Sequence, residues 1–333
     1  MKIAVFELED WERETFRKLE EGHDVLMSGK SVQEETEGRF LEAKAISPFI
    51  YSKLDADALA RFKNLKLIAT RSTGFDHIDL DYCRQNNITV CNVPTYADQT
   101  VAEHVFALLL GISHRIPEAV SRTQRGNFSQ EGLQGFDLCG KTLGVVGTGN
   151  IGRHVIKIAR GLSMEVIAFD VRADEEAASQ LGFTYVSIDD LLSRSDIITL
   201  HVPGGKKTRH LISKAEFNKM KDGVVLINTA RGEVVDVQAL MEAIVHGKIR
   251  AAGLDVLPEE PVLGEETELL RSIFVERHNL DTLLAGHMLC HLSNVLITPH
   301  SAFNTREAVQ RLLDTTVQNI VAFARGEPQN VAA

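Results

Sequence analysis

Cysteine is scarce in this chain. Four occur in 333 residues, at Cys83, Cys91, Cys139 and Cys290, and no two of them are spaced C-x-x-C. That pattern excludes a disulfide scaffold and reads as reduced thiols in a cytoplasmic protein. Long hydrophobic runs are missing as well: the longest, Val105 to Ile112, is far short of a membrane span. The opening MKIAVFELEDWERE is a short apolar strand followed by acidic residues, so no signal peptide is expected. Positive charge is in deficit, with 36 Lys and Arg against 46 Asp and Glu and a formal net charge of -10. Neither a nucleic acid nor an anionic membrane is then expected as the main partner, and any anionic substrate must be caught by local positive groups. No internal repeat or low-complexity segment is visible, which sets solenoid architectures aside.

What is present is an ordinary globular composition, 44% hydrophobic and 25% charged, in a chain long enough for two domains. Its most informative stretch is TLGVVGTGNIGRHVIKIARGLSMEVIAFD, Thr142 to Asp170. The run Leu143 to Val146 reads as a buried parallel strand, after which Gly147, Gly149 and Gly152 fall in the G-x-G-x-x-G register where a helix should begin. Gly147 permits the tight turn, Gly149 lets backbone amides approach a pyrophosphate, and Gly152 lets the helix pack on the strand. The helix N-terminus then offers unpaired N–H groups and partial positive charge to the phosphates. A second strand, Val166 to Phe169, ends in Asp170, 18 residues beyond Gly152 and close to the offset expected of a ribose-binding carboxylate. A carboxylate there accepts from a ribose 2′-hydroxyl and repels a 2′-phosphate, which favours NAD; Arg172 lies close enough to keep NADP in view.

Strand and helix patterns alternate through the chain. Before the glycine motif the candidate strands are Lys2 to Phe6, Ala45 to Ser47, Leu67 to Thr70 and Thr89 to Asn92, with a helix over Asp55 to Phe62. Thr100 and Glu103 are spaced as a capping box, and Val101 to Ser113 is apolar nearly all round, as for a helix buried between domains or subunits. Pro117 can start a second helix and Gly126 end it. After the motif, Asp196 to Val202, Val224 to Asn228, Ala251 to Val256 and Val295 to Thr298 read as short buried strands. The segment Thr305 to Arg325 has helical periodicity, closes with Gly326 and Pro328, and can return to the first domain. The alternation predicts an α/β protein with helices on both faces of parallel sheets.

Three polar clusters follow strands of the glycine-motif domain, where open parallel sheets bind their ligands. In Asn228-Thr229-Ala230-Arg231-Gly232, Arg231 can fork two N–H donors onto a carboxylate; its bland alternative is a surface pair with Glu233 or Asp236. Asp255 to Pro261 has two prolines that could aim Glu260. The third cluster, Thr298-Pro299-His300-Ser301-Ala302, contains His300, the side chain best poised to exchange a proton near neutral pH. A carboxylate beside a histidine favours the imidazolium, giving an acid for a forming alkoxide while an arginine holds the substrate. His287 and His291, four apart, could share a helix face, with His278 and Cys290 in the same stretch; no metal site is expected.

These pieces, with RSTGFDHIDL from Arg71, VAEH at Val101 to His104, LHVP at Leu200 to Pro203 and ITPHSAFNT at Ile297 to Thr305, run in an order that resembles the NAD-dependent D-isomer-specific 2-hydroxyacid dehydrogenases, in particular their D-lactate dehydrogenase-like members. The resemblance implies two doubly wound parallel-sheet domains with a cleft between: a smaller flavodoxin-like substrate domain, residues 1–99 and 299–333, and a Rossmann NAD-binding domain, residues 100–298. Arg231, Glu260 and His300 match the family's catalytic residues. The backbone of Thr73 and Gly74 matches its substrate-carboxylate site, and Tyr96 and Phe303 the walls of its substrate pocket. Expected cofactor contacts are Gly147, Thr148, Gly149, Asn150, Ile151, Gly152 and Asp170, then His201, Val202 and Pro203 at the adenine, Thr229, Ala230, and Asp255 at the nicotinamide carboxamide. The stretch Leu263 to Asn294 is longer than in glycerate or phosphoglycerate relatives. A small 2-oxo acid, pyruvate foremost, and its D-2-hydroxy acid are the expected substrates, with a homodimer as the assembly. Rival readings are a reductase of hydroxypyruvate or a bulkier 2-oxo acid, and an NAD-sensing corepressor-like binding protein.

Overall fold

A computed structural model of the chain describes residues 1–258 and 280–332. The chain divides into two compact units, Met1–Ala97 with Asn304–Ala333, and Asp98–Phe303.

The first unit carries a five-stranded parallel sheet of β1 (Lys2–Val5), β2 (Asp24–Met27), β3 (Ala45–Ser47), β4 (Leu67–Ala69) and β5 (Thr89–Cys91) in the order β2-β1-β3-β4-β5. That is the flavodoxin-like order. Short helices α1 (Arg13–Arg17), α2 (Ala56–Ala60) and α3 (Leu80–Gln85) accompany it, α2 and α3 capped by the Asp55 and Asp79 carboxylates. Strands β3 and β4 are buried at every position, so they must be covered on both faces. Phe6, Phe40, Ile46, Phe62 and Ile68 form one core cluster.

The second unit begins with α4 (Asp98–Ser113) and α5 (Ile116–Gln124). Its seven strands, β6 (Thr142–Val146), β7 (Glu165–Phe169), β8 (Thr184–Tyr185), β9 (Ile197–Leu200), β10 (Val224–Asn228), β11 (Ile249–Leu254) and β12 (Val295–Ile297), are all parallel, in the order β12-β11-β10-β9-β6-β7-β8. The chain runs outward from β6 to β8 and returns to pair β9 with β6, which makes the β6/β9 boundary the topological switch point of a Rossmann sheet. Helices α6 (Asn150–Gly161), α7 (Glu175–Leu181), α8 (Ile188–Arg194), α9 (Lys214–Lys219), α10 (Val237–Val245) and α11 (Leu280–Cys290) complete the described layers. One face packs Leu191, Phe217, Leu226 and Leu240; the other packs α4 and α6 through Val105, Leu109, Val155 and Ile156.

The last helix, α12 (Arg306–Ala324), is capped by Thr305 and belongs to the first unit, where the Asn319 side-chain amide donates to the Asn92 carbonyl at 2.9 Å. Two sequence expectations need correcting. Thr100 and Glu103 do not cap α4, because the helix starts a turn earlier at Asp98 and both residues sit inside it. Strands β2 and β8 were not foreseen: β2 is a half-exposed edge strand without apolar alternation, and β8 is two residues long.

Candidate active site

The glycine turn follows β6 directly. Gly147 has φ +96°, and a Cβ there would come within 2.7 Å of the His201 carbonyl oxygen, so glycine is required by the backbone conformation and by the close passage of the segment after β9. A Cβ on Gly152 would sit 2.1 Å from the Gly147 oxygen, so only glycine lets α6 start this close to the turn. A Cβ on Gly149 would meet nothing within 4 Å among the described residues, leaving open space over the first amides of α6, which have no intrahelical partners. Arg153 closes the turn from behind, its Nε donating to the Thr148 carbonyl at 3.0 Å and its guanidinium pairing with Asp174 at 2.8 Å.

Asp170 ends β7 beside this turn. One carboxylate oxygen accepts from the Thr148 amide at 2.7 Å and the Thr148 hydroxyl at 3.1 Å, the other from the Arg172 amide at 2.9 Å. Partial burial pushes its pKa up, but the Thr148 and Arg172 donors outweigh that and the group lies below its ordinary value. It is an anion with lone pairs left for further donors. Because the Thr148 hydroxyl spends its hydrogen on Asp170, Tyr185 on β8 must donate to it across 2.7 Å. Sequence reasoning passed over Tyr185, since a two-residue strand leaves no periodic signal.

Past β9, the Val202 side chain would lie 3.2 Å from a Cβ on Gly147, so His201 and Val202 border the glycine turn. The His201 ring bonds Thr199 Oγ1 at 2.9 Å, and its burial lowers the imidazole pKa to about 3, although the residue as a whole is only half-buried.

Arg231, Asp255 and His300 stand just beyond the carboxyl ends of β10, β11 and β12, neighbours in the sheet. Asn228, nearly fully buried, shapes the arginine turn: its side-chain oxygen accepts from the Ala230 amide at 3.0 Å, and its amide donates to the Arg231 carbonyl at 3.0 Å. Arg231 Nη1 donates to the Ala230 carbonyl at 2.8 Å, and the side chain packs against Gly204. A Cβ on Gly232 would lie 2.2 Å from the Leu257 carbonyl carbon, so the arginine turn and the Leu257–Pro258 segment pass in contact. Glu260 lies outside the described residues, as does His278.

Asp255, 1% exposed, holds the His300 turn. Its carboxylate accepts from the Thr298 hydroxyl at 2.5 Å and the amides of Ser301 at 2.9 Å and Ala302 at 3.0 Å, and its carbonyl accepts from the His300 amide at 2.9 Å. These bonds keep Thr298 to Phe303 with the second unit. His300 itself has φ +50°, a left-handed conformation that costs a non-glycine residue roughly 1 kcal/mol or more and here is fixed by its neighbours.

Thr229 Oγ1 is buried without a hydrogen-bond partner among the described residues. An orphaned hydroxyl at the carboxyl edge of the sheet, the open cradle over α6 and the Asp170 carboxylate together fit a dinucleotide. His287 and His291 have ring centroids 4.8 Å apart, and among the described residues no group of three metal-ligating side chains occurs.

In the first unit, the Thr73 and Gly74 amides, just past β4, have no acceptor within the protein among the described residues. Successive amides of this kind suit a carboxylate. The loop is fixed by Thr73 Oγ1 donating to the Val93 carbonyl at 2.7 Å, Asn92 donating to the Thr73 carbonyl at 2.8 Å and Ser72 Oγ donating to the Gly74 carbonyl at 2.6 Å. Just ahead of it in the chain is Arg71, 1% exposed, whose guanidinium donates to the carbonyls of Phe6, Glu7 and Ser47. Burial lowers its pKa to about 10 against the opposing pull of Glu12 and Glu7. No pattern in the sequence separated this arginine from a surface one. Tyr96 is buried in the same unit, its carbonyl accepting from Arg311 Nε at 2.8 Å, while Phe303 is half-buried in the second unit.

Residues 106–302 match the model of the D-isomer specific 2-hydroxyacid dehydrogenase NAD binding domain. A D-lactate dehydrogenase of Escherichia coli is 35% identical over 335 residues, 98% of this chain and 98% of the relative. A hydroxypyruvate reductase of Thermotoga maritima is 38% identical over 269 residues, 81% of each. Among solved structures, the D-lactate dehydrogenase of Aquifex aeolicus complexed with NAD and lactic acid superposes with a TM-score of 0.85 at 37% identity, covering 98% of this chain and 96% of that one. A glycine turn that fits a dinucleotide, on a chain alike to these proteins over nearly its whole length, makes this protein an NAD-dependent member of the D-isomer specific 2-hydroxyacid dehydrogenase family.

Proposed function

We propose that this dehydrogenase interconverts a small 2-oxo acid, pyruvate foremost, with the D-2-hydroxy acid, D-lactate. The observation that supports this most is the meeting of the Arg231 and His300 turns with Asp255 at the ends of three adjacent parallel strands. In this reading the Arg231 guanidinium grips the substrate carboxylate and polarises the 2-oxo group. Bound NADH supplies the hydride to C2. The His300 imidazolium gives its N–H proton to the carbonyl oxygen, and Glu260 supports the charge on that ring. Asp255 and Thr229 serve the cofactor. Hydroxypyruvate is the second substrate to consider, since a hydroxypyruvate reductase is among the relatives.

Steady-state kinetics with pyruvate, hydroxypyruvate and bulkier 2-oxo acids, with chiral analysis of the product, tests the substrate. An Arg231→Lys variant tests the site. A point charge cannot reproduce the two-pronged grip, so KM for the 2-oxo acid should rise and turnover fall while NADH affinity stays. Wild-type kinetics in that variant would return Arg231 to a surface role worth at most about 1 kcal/mol of stability.

The assembly we propose is a homodimer, and the compartment the cytoplasm. Four free cysteines suit a reducing compartment, Cys83 and Cys91 being buried thiols pushed up to about 11 by that burial. Among the described residues no helix is long and apolar enough to cross a membrane.

A further inference from the structure

We propose that His104, on α4, is a positioning residue for His300, acting through Thr298 and Asp255. This rests on the reading of His300 as the proton donor. The His104 ring reaches the turn from a different part of the chain: Nε2 lies 3.0 Å from Thr298 Oγ1 and 3.5 Å from Asp255 Oδ1. The Thr298 hydroxyl has one hydrogen and gives it to Asp255 Oδ1 at 2.5 Å. The ring nitrogen at 3.0 Å must therefore be the donor, which assigns the hydrogen to Nε2 and makes a chain from His104 to Thr298 to Asp255.

Asp255 passes the constraint on. Its Oδ1 also accepts the Ser301 amide, its Oδ2 accepts the Ala302 amide, and its carbonyl accepts the His300 amide, so three successive amides hang on one residue. The restraint is needed because His300 sits at φ +50°, from which an unrestrained histidine relaxes to negative φ and swings its ring away. Without the His104 donor the Thr298 hydroxyl is no longer held in line with Asp255 Oδ1 and can turn to another acceptor, which loosens that buried carboxylate oxygen. What anchors the chain is α4 itself, whose Val101, Ala102, Val105 and Phe106 are buried on either side of His104. His104 is 21% exposed and bonds to the turn alone among the described residues, so its side chain serves the site more than the core.

The experiment compares full-length His104→Leu, His104→Gln, Thr298→Val and His300→Asn with the wild type, using NADH with pyruvate or whichever 2-oxo acid is turned over best. His104→Leu should lower kcat about tenfold through misplacement of His300, with the Kd for NADH within about twofold and faster amide exchange in the peptide covering 298–303. His104→Gln, which keeps an N–H near the same place, should recover most of the turnover. A folded His104→Leu with kcat within about twofold of wild type overturns the inference, as does a loss of NADH affinity equal to the loss of turnover, or equal losses in the Leu and Gln variants. If His104→Leu fails to fold, Thr298→Val breaks the same chain and must show the same kcat loss; unchanged turnover there also overturns it. His300→Asn separates the two levels: retained turnover removes the proton-donor reading, whereas loss in that variant with none in His104→Leu removes only the role of His104.

Discussion

In the proposed reading, Asp170 carries the choice of cofactor through a small set of bonds. Thr148 and Arg172 hold its two oxygens in place, and Tyr185 holds the Thr148 hydroxyl, so the carboxylate cannot turn aside to admit a 2′-phosphate without breaking a chain of donors. NADH should be preferred over NADPH by at least about tenfold, or roughly 1.4 kcal/mol, and Asp170→Ala should narrow that ratio; equal kcat/KM for both cofactors in the wild type would mean that Arg172 prevails. His201 makes a second residue-scale prediction. Its folded-state pKa of about 3 lies below its usual 6.5, so the unfolded chain binds the extra proton between those values and stability rises with pH across that window. On acidification from pH 7 to about 5 the wild type should lose more stability than His201→Gln, read from denaturant midpoints. Glu7 and Glu12 have carboxyls raised by burial, whose contribution runs the opposite way, falling as pH rises; both are intact in the two proteins and cancel in the comparison. Equal losses would mean that the ring takes up its proton without cost in the folded state.

At the scale of elements, α6 shows how packing overrides propensity. Alanine is the better helix former by about 1 kcal/mol, so Gly152→Ala ought to stabilise the protein if local preference governed. A Cβ 2.1 Å from the Gly147 carbonyl must instead push the helix off its strand, at a typical cost of about 1–3 kcal/mol. Denaturant melting should show a loss, and NADH titration a weaker complex, because the amides at the start of α6 move with it. A variant of wild-type stability would show that the turn yields easily. The strands bearing these turns were legible because each is a continuous apolar run: β10 is buried at all five positions, and VVLI reads the same way in the sequence. Boundaries were less so. The helix α4 begins at Asp98, ahead of the Thr100 and Glu103 spacing, since side-chain chemistry that can cap a helix is equally at home inside its first turns. The edge strands β2 and β8 gave no periodic signal, being held by one neighbour each.

At the scale of the whole molecule, α4, α5 and the residues just after them present exposed apolar side chains. Leu110, Ile116, Val120 and Phe128 are 38%, 50%, 47% and 79% exposed, a concentration of apolar groups on one short stretch of chain. If a second copy covers them, light scattering should give a dimer, and Val120→Glu with Phe128→Glu should yield a monomer that still melts cooperatively; a monomeric wild type at micromolar concentration would end the proposal. The amino-acid sequence by itself determined the two α/β units, the dinucleotide turn with Asp170, and the candidates Arg231 and His300, because glycine spacing, apolar runs and the residue types needed for hydride chemistry are local properties. Only the tertiary structure decided what these residues lean on. Asp255 binds amides more than 40 positions away, His104 bonds to Thr298 across 194 positions, and the buried Arg71 donates to the carbonyls of Phe6, Glu7 and Ser47, 24 to 65 positions away. Such bonds depend on which strand ends the sheet sets side by side, and strand order is a property of the packed whole that no local pattern encodes.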